Sequence, residues 1–173
     1  MSADSAVQPS PLTPRLLAFL PKPLLEPRRP VVAILTGWVT AFVPSIILAA
    51  LVGLLLPKVA QPQFNVDGPT AVVLIVVFAP VMETLIMGSV LLVLLRLFSP
   101  AVAVLISALG WGVAHSLAAP AWGLVIWWPF LIFSTLFVSW RERSLAAAFV
   151  IPAIVHGLHN LPSALLLAAG KIG

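Results

Sequence analysis

The run 70–98, TAVVLIVVFAPVMETLIMGSVLLVLLRLF, sets a single carboxylate, Glu83, in the middle of a long apolar stretch. A helix rises about 1.5 Å per residue, so roughly 20 apolar residues cross a hydrocarbon core of about 30 Å. This run is long enough, and four others qualify or nearly do: 31–56, 101–118, 122–140 and 145–169. The joints between them are rich in breakers, notably Pro57 to Pro69, Ser99-Pro100, Ala119-Pro120 and Arg141-Glu142-Arg143.

Composition agrees with a lipid environment. Hydrophobic residues make up 61% of the 173 and charged residues only 8%, and the mean hydropathy is +1.16. Soluble domains carry roughly 25% charged residues, so this chain cannot cover a water-facing surface. The expected fold is all-α, a polytopic membrane helix bundle of about five spans, or six if the last run breaks at Pro162. Prolines 44, 80, 129 and 152 also fall within spans, and each must leave carbonyls for neighbouring groups to satisfy.

Two units are expected: a proline-rich cytoplasmic tail, 1–30, with seven prolines, and a transmembrane domain, 31–173. The tail lacks the basic cap and short apolar core of a signal peptide. Leu16–Leu25 is expected to rest at the membrane surface. With the N-terminus in the cytoplasm, Arg15, Lys22, Arg28, Arg29, Arg96, Arg141 and Arg143 fall inside, and only Lys58 and Lys171 outside. That bias obeys the positive-inside rule; the expected location is as an integral protein of a bacterial inner (plasma) membrane. The basic residues explain a sequence pI near 10.8 without nucleic acid, because they flank apolar runs with no aromatic interleaving. Absence of cysteine excludes disulfides, thiolate metal sites and cysteine nucleophiles.

Of the five acids, Asp4, Glu26, Asp67, Glu83 and Glu142, only Glu83 lies in a span; His115, His156, His159 and Asn160 lie in spans too. A charged residue at mid-membrane costs about 2.5–3.5 kcal/mol on insertion scales, so these groups should face inward and meet. Counted from the helix ends, Glu83, His115, His156 and Asn160 all stand roughly 18–24 Å from the cytoplasmic edge. They come from the second, third and fifth spans. His156 and Asn160, four apart, share a helix face. The alternative for each His or Asn alone is interhelical hydrogen bonding, and His159 is expected to be structural.

Most intramembrane hydrolytic chemistries are ruled out. No His-Glu-x-x-His is present, no second membrane carboxylate for an aspartyl dyad, and no Gly-x-Ser-x-Gly elbow; Ser116 adjoins His115 but points away from it on a helix. A carboxylate and a histidine activating water remain, with His156 and Asn160 as hydrogen-bond donors to an oxyanion. Other features read as packing. Gly110 and Gly112 should permit close helix approach. Trp127, Trp128 and the Phe-rich fourth span should face lipid or pack. Trp38, Trp122 and Trp140 should form an interfacial belt, and Thr84 should bond within its own helix.

These residues resemble the CPBP family of intramembrane glutamic proteases, which includes CAAX-prenyl endopeptidases and bacteriocin-processing (Abi) enzymes. The family motifs Glu-Glu-x-x-x-Arg, Phe-x-x-x-His and His-x-x-x-Asn are matched in order by Glu83-Thr84 through Gly88, Trp111 through His115, and His156 through Asn160. Thr84 stands at the second glutamate, Gly88 at the arginine and Trp111 at the phenylalanine. The resemblance implies an endopeptidase in which Glu83 and His115 activate water and His156 and Asn160 hold the oxyanion, with no metal or other cofactor. The expected substrate is a membrane-embedded peptide or protein. A site in the outer half of the bilayer suits exported or membrane-anchored substrates better than prenylated tails presented from the cytoplasm. Two competing readings are a non-catalytic immunity or assembly factor, motivated by Thr84 and Gly88, and a proton or metal-ion carrier. The short, repeat-free chain argues against the carrier.

Overall fold

The computed structural model describes residues 17–63, 66 and 68–171. Among these the chain is all-helical, with five helices long and apolar enough to span a membrane: Pro30–Leu55, Gly68–Leu97, Pro100–Ala118, Pro120–Trp140 and Leu145–Ala168. The first, third and fourth spans begin on proline, where the missing N–H costs nothing. The fifth is capped by Ser144, whose hydroxyl accepts from the Ala147 N–H at 3.0 Å. The fifth span is one continuous helix through Pro152 and Pro162, so the bundle has five spans and not six.

The fourth span is the centre of the bundle. Its most apolar stretch is 67% buried, against 11% for the first span. Phe130, Phe133 and Phe137 are fully enclosed, and the first, third and fifth spans pack around them. The third span approaches closely because small residues face each other. Gly112 abuts Trp127 and the Gly123 carbonyl, and any side chain at Gly123 would strike Ser116 and the Gly112 backbone. Ser107 and Ser134 share a 2.9 Å hydrogen bond across the same seam. In lipid such van der Waals fit and interhelical bonding take the place of hydrophobic association. Gly110, by contrast, faces open space and contributes nothing to the approach.

Two packing features follow from the interior place of the fourth span. Trp140 is buried and Trp122 lines a cavity, so both pack against protein at the two ends of the fourth span. Trp38 is half-buried and stacks on Phe42 at 6.1 Å. The segment before the first span packs inward as well. Leu17, Leu20, Leu24 and Leu25 are buried in the core, and Ser139 and Arg143 donate to the carbonyls of Leu24 (2.8 Å) and Pro27 (2.7 Å). It therefore closes the end of the fourth span. Residues 1–16 of the expected tail lie outside the described residues.

Pro44 illustrates how the bundle accepts a broken ladder. Its absent N–H frees the Thr40 carbonyl, and the Trp128 indole N–H from the fourth span takes that carbonyl at 2.8 Å. Trp128→Phe is expected to cost about 1–3 kcal/mol, the usual loss when a buried acceptor is orphaned, read as a lower unfolding temperature in detergent. Pro44→Ala in the same background should recover most of that loss, since an alanine at this position restores the intrahelical donor. A loss that Pro44→Ala leaves untouched would refute this account.

Candidate active site

The second span carries Glu83, and its course depends on an irregular turn. It runs as α-helix over Gly68–Val72, as a wider π-helix over Val73–Phe78, and as α-helix again over Ala79–Leu97. The Ala79 N–H bonds to the Leu74 carbonyl five residues back. The next donor in that series would be residue 80, which is proline, so the Ile75 carbonyl loses its partner. The Asn160 side-chain N–H from the fifth span donates to it instead, at 3.0 Å. Alongside, Gly157 lets the fifth span meet the second so closely that a Cβ there would stand 2.7 Å from the Val76 carbonyl oxygen.

That junction forms one wall of a cavity of about 380 Å³. Glu83, His115, His156 and Asn160 all line it, so the four residues singled out in the sequence meet in one place. Glu83 keeps 27% of its side chain exposed to this space, while His156 is almost wholly enclosed. The Glu83 carboxylate and His156 Nε2 are 3.7 Å apart, a distance that a shift of either side chain closes to a hydrogen bond. His156 is clamped by Phe133, stacked at 4.6 Å, and by the edge of Phe130. Its Nδ1 is buried without a hydrogen-bond partner among the described residues.

His115 is held differently. Its Nδ1 lies 2.9 Å from the Trp111 carbonyl one turn earlier. A carbonyl only accepts, so Nδ1 carries the hydrogen and Nε2 of the neutral ring is left with a lone pair. Trp122 meets the ring edge-on at 4.6 Å, and Trp111 and Phe130, stacked on each other at 4.3 Å, close the remaining side. Trp111 thus serves this histidine through its backbone carbonyl and a flat apolar face, both of which a Phe would also supply. Sequence reasoning missed Trp122 as a site residue, because hydropathy at a helix start looks the same for an interfacial and an interior tryptophan. His159 also lines the cavity, against the ring edges of Phe42 and Phe133. Among the described residues no three His, Asp or Glu side chains group closely enough to hold a metal ion.

A family model described as Type II CAAX prenyl endopeptidase Rce1-like matches residues 65–162, more than half of the chain. The chain belongs to the Rce1-like family. Neither a curated protein nor a solved structure matches it. The matched segment runs from the start of the second span to just past Asn160 in the fifth, and so contains all four cavity residues. The family is one of endopeptidases, and this member is a membrane-embedded helical bundle.

The two departures of this Rce1-like chain from the first motif lie away from the cavity. Thr84 is buried, and its hydroxyl has no partner among the described residues, whereas bonding within its own helix was expected. Gly88, one turn on, lies directly under the rings of Phe137 and Phe149, which meet edge-to-face at 5.0 Å. A glutamate and an arginine four apart on a helix can pair. Here both charges are gone together, and aromatic packing fills the room. Replacing a buried ion pair by fitted apolar groups is often neutral or stabilising, whereas losing one partner alone is costly. Gly88→Ala is expected to overpack this seam and cost about 1–3 kcal/mol. Chemical denaturation in detergent checks this, and an unchanged midpoint would show that the two phenylalanines can move aside.

Proposed function

We propose that the chain is an intramembrane endopeptidase that hydrolyses a peptide bond of a membrane-anchored or exported substrate, with residues 31–173 as its working unit. Glu83 acts as general base on a water held between it and His115 Nε2. His156 and the second amide hydrogen of Asn160 donate to the oxyanion as the water attacks the carbonyl carbon. The proton taken from water passes to the leaving nitrogen. The observation that carries this reading is the 3.7 Å approach of Glu83 to His156 in a cavity that His115 and Asn160 also line.

The direction of the cavity bears on the substrate. Gln61, Pro62 and Trp122, at the joint and helix-start end, are among its lining residues. Arg28, Arg96, Arg141 and Arg143 belong to the opposite ends of those spans. With the arginine end in the cytoplasm of a bacterial plasma membrane, the cavity faces the outer leaflet. That placement favours exported or anchored chains over tails presented from the cytoplasm. The departures at Thr84 and Gly88, which motivated a non-catalytic reading, do not reach the cavity.

The test compares the peptides produced by cells carrying the wild-type protein and the Glu83→Gln variant at equal abundance. One or more products should vanish in the variant, and His115→Ala should remove the same products. Identical peptide sets in all three strains would end the proposal.

A further inference from the structure

We propose that Asn160 is a positioning residue for Glu83: by pairing with the Ile75 carbonyl that Pro80 leaves without a donor, it fixes the π turn that aims Glu83 into the cavity. The inference rests on Glu83 being the working carboxylate, but the geometry behind it is independent of the reaction.

Pro80 interferes with the helix in two ways. It brings no N–H, and its ring crowds the carbonyl four residues back. Four residues back is Val76; in the π register that joins Ala79 to Leu74, the donor missing at residue 80 is the one due to Ile75. A buried carbonyl left unpaired is costly, and a neighbouring span can satisfy it. Asn160 supplies the donor at 3.0 Å. Gly157, three residues earlier on the fifth span, brings the two backbones near enough for this short side chain to reach.

The turn has a directional consequence. In an α-helix four residues slightly overshoot one turn; in a π-helix, whose bonds span five residues, four fall short of one. Ile75 to Ala79 crosses the π stretch and Ala79 to Glu83 the α stretch, so the two errors oppose each other. Ile75, Ala79 and Glu83 consequently fall on one line, and all three border the cavity. If the π turn relaxed to α, the second span downstream would rotate relative to the fifth, carrying Glu83 off His156.

Restoring a donor at residue 80 should make Asn160 dispensable for aiming Glu83. Glu83 is the sole carboxylate within a span, so labelling by the membrane-soluble reagent dicyclohexylcarbodiimide reports on it without any substrate. On the purified full-length protein in detergent, Asn160→Ala should change the initial labelling rate about fivefold or more, the population shift that an orphaned buried carbonyl can drive. Pro80→Ala alone is the reference. The double variant Pro80→Ala/Asn160→Ala should label within about twofold of that reference, a coupling that only interacting residues show. If Asn160→Ala does not fold and the double variant does, the same rescue is read on folding and supports the proposal. Failure of the double variant to fold, or a labelling change that Pro80→Ala leaves in place, overturns it. Cleavage separates this idea from the proposed function. Rescued labelling with no Glu83-dependent product sinks the protease and keeps the positioning role. Glu83-dependent cleavage with labelling indifferent to Asn160 does the reverse.

Discussion

Glu83→Gln is expected to slow peptide cleavage by ~10²–10⁴-fold, the usual contribution of a positioned general base, while leaving the unfolding temperature unchanged or slightly raised. Glutamine has nearly the same shape, and its amide can still meet His156 across the 3.7 Å gap. What it cannot do is take a proton from water. The carboxylate it replaces sits 27% exposed beside a buried histidine and, among the described residues, no basic side chain other than that histidine ion-pairs with it. Groups kept in such settings commonly cost stability in exchange for activity, so their removal should not unfold the protein. Initial rates and melting curves on one purified preparation test both halves. Cleavage within twofold of wild type would reassign Glu83 to packing. A large drop in melting temperature would mean that the carboxylate holds the second and fifth spans together.

The positions of the spans were legible in the sequence because lipid leaves the backbone few choices. Every N–H and C=O must be paired within a helix or by a neighbour, so length, hydropathy and proline at the joints suffice to place five helices. The meeting of Glu83, His115 and His156 was legible for a related reason. Burial in lipid drives polar groups toward one another, and counting residues from the helix ends puts them at one level. Neither argument reaches the π turn. Residues 70–98 are uninterrupted in hydropathy, and the side chain that pairs with the Ile75 carbonyl beside the wider turn, Asn160, lies on another span far along the chain. The same limit hid the central place of the fourth span. Lipid tails and protein interior are equally apolar, so Phe130, Phe133 and Trp122 read alike whether they face acyl chains or a histidine. Thr84 is a further case: helix geometry offers its hydroxyl a carbonyl one turn back, yet the buried hydroxyl has no partner among the described residues.

Gly157→Ala is expected to combine a stability loss with a loss of activity, and it is the smallest change that should do both. The added methyl would stand 2.7 Å from the Val76 carbonyl oxygen, a backbone atom that cannot swing aside as a side chain can. The second and fifth spans must therefore separate. Overpacking of this kind costs about 1–3 kcal/mol. Separation also lengthens the 3.0 Å bond from Asn160 to Ile75, and an unpaired buried carbonyl adds about 1–3 kcal/mol. The sum, about 2–6 kcal/mol by these terms, should lower the midpoint of denaturation clearly. Activity should fall further than stability alone explains, because Glu83 and His156 sit on the two spans being pushed apart. A displacement of about 1 Å between reacting groups can cost ~10²-fold in rate. Cleavage measured well below the melting temperature isolates that second loss from unfolding. Gly53 provides the control, since a Cβ there meets nothing within 4 Å and lies outside the cavity wall. Gly53→Ala should match wild type in both measurements. Were Gly157→Ala to match it as well, the close seam between the second and fifth spans could not be what holds the carboxylate and the imidazole together.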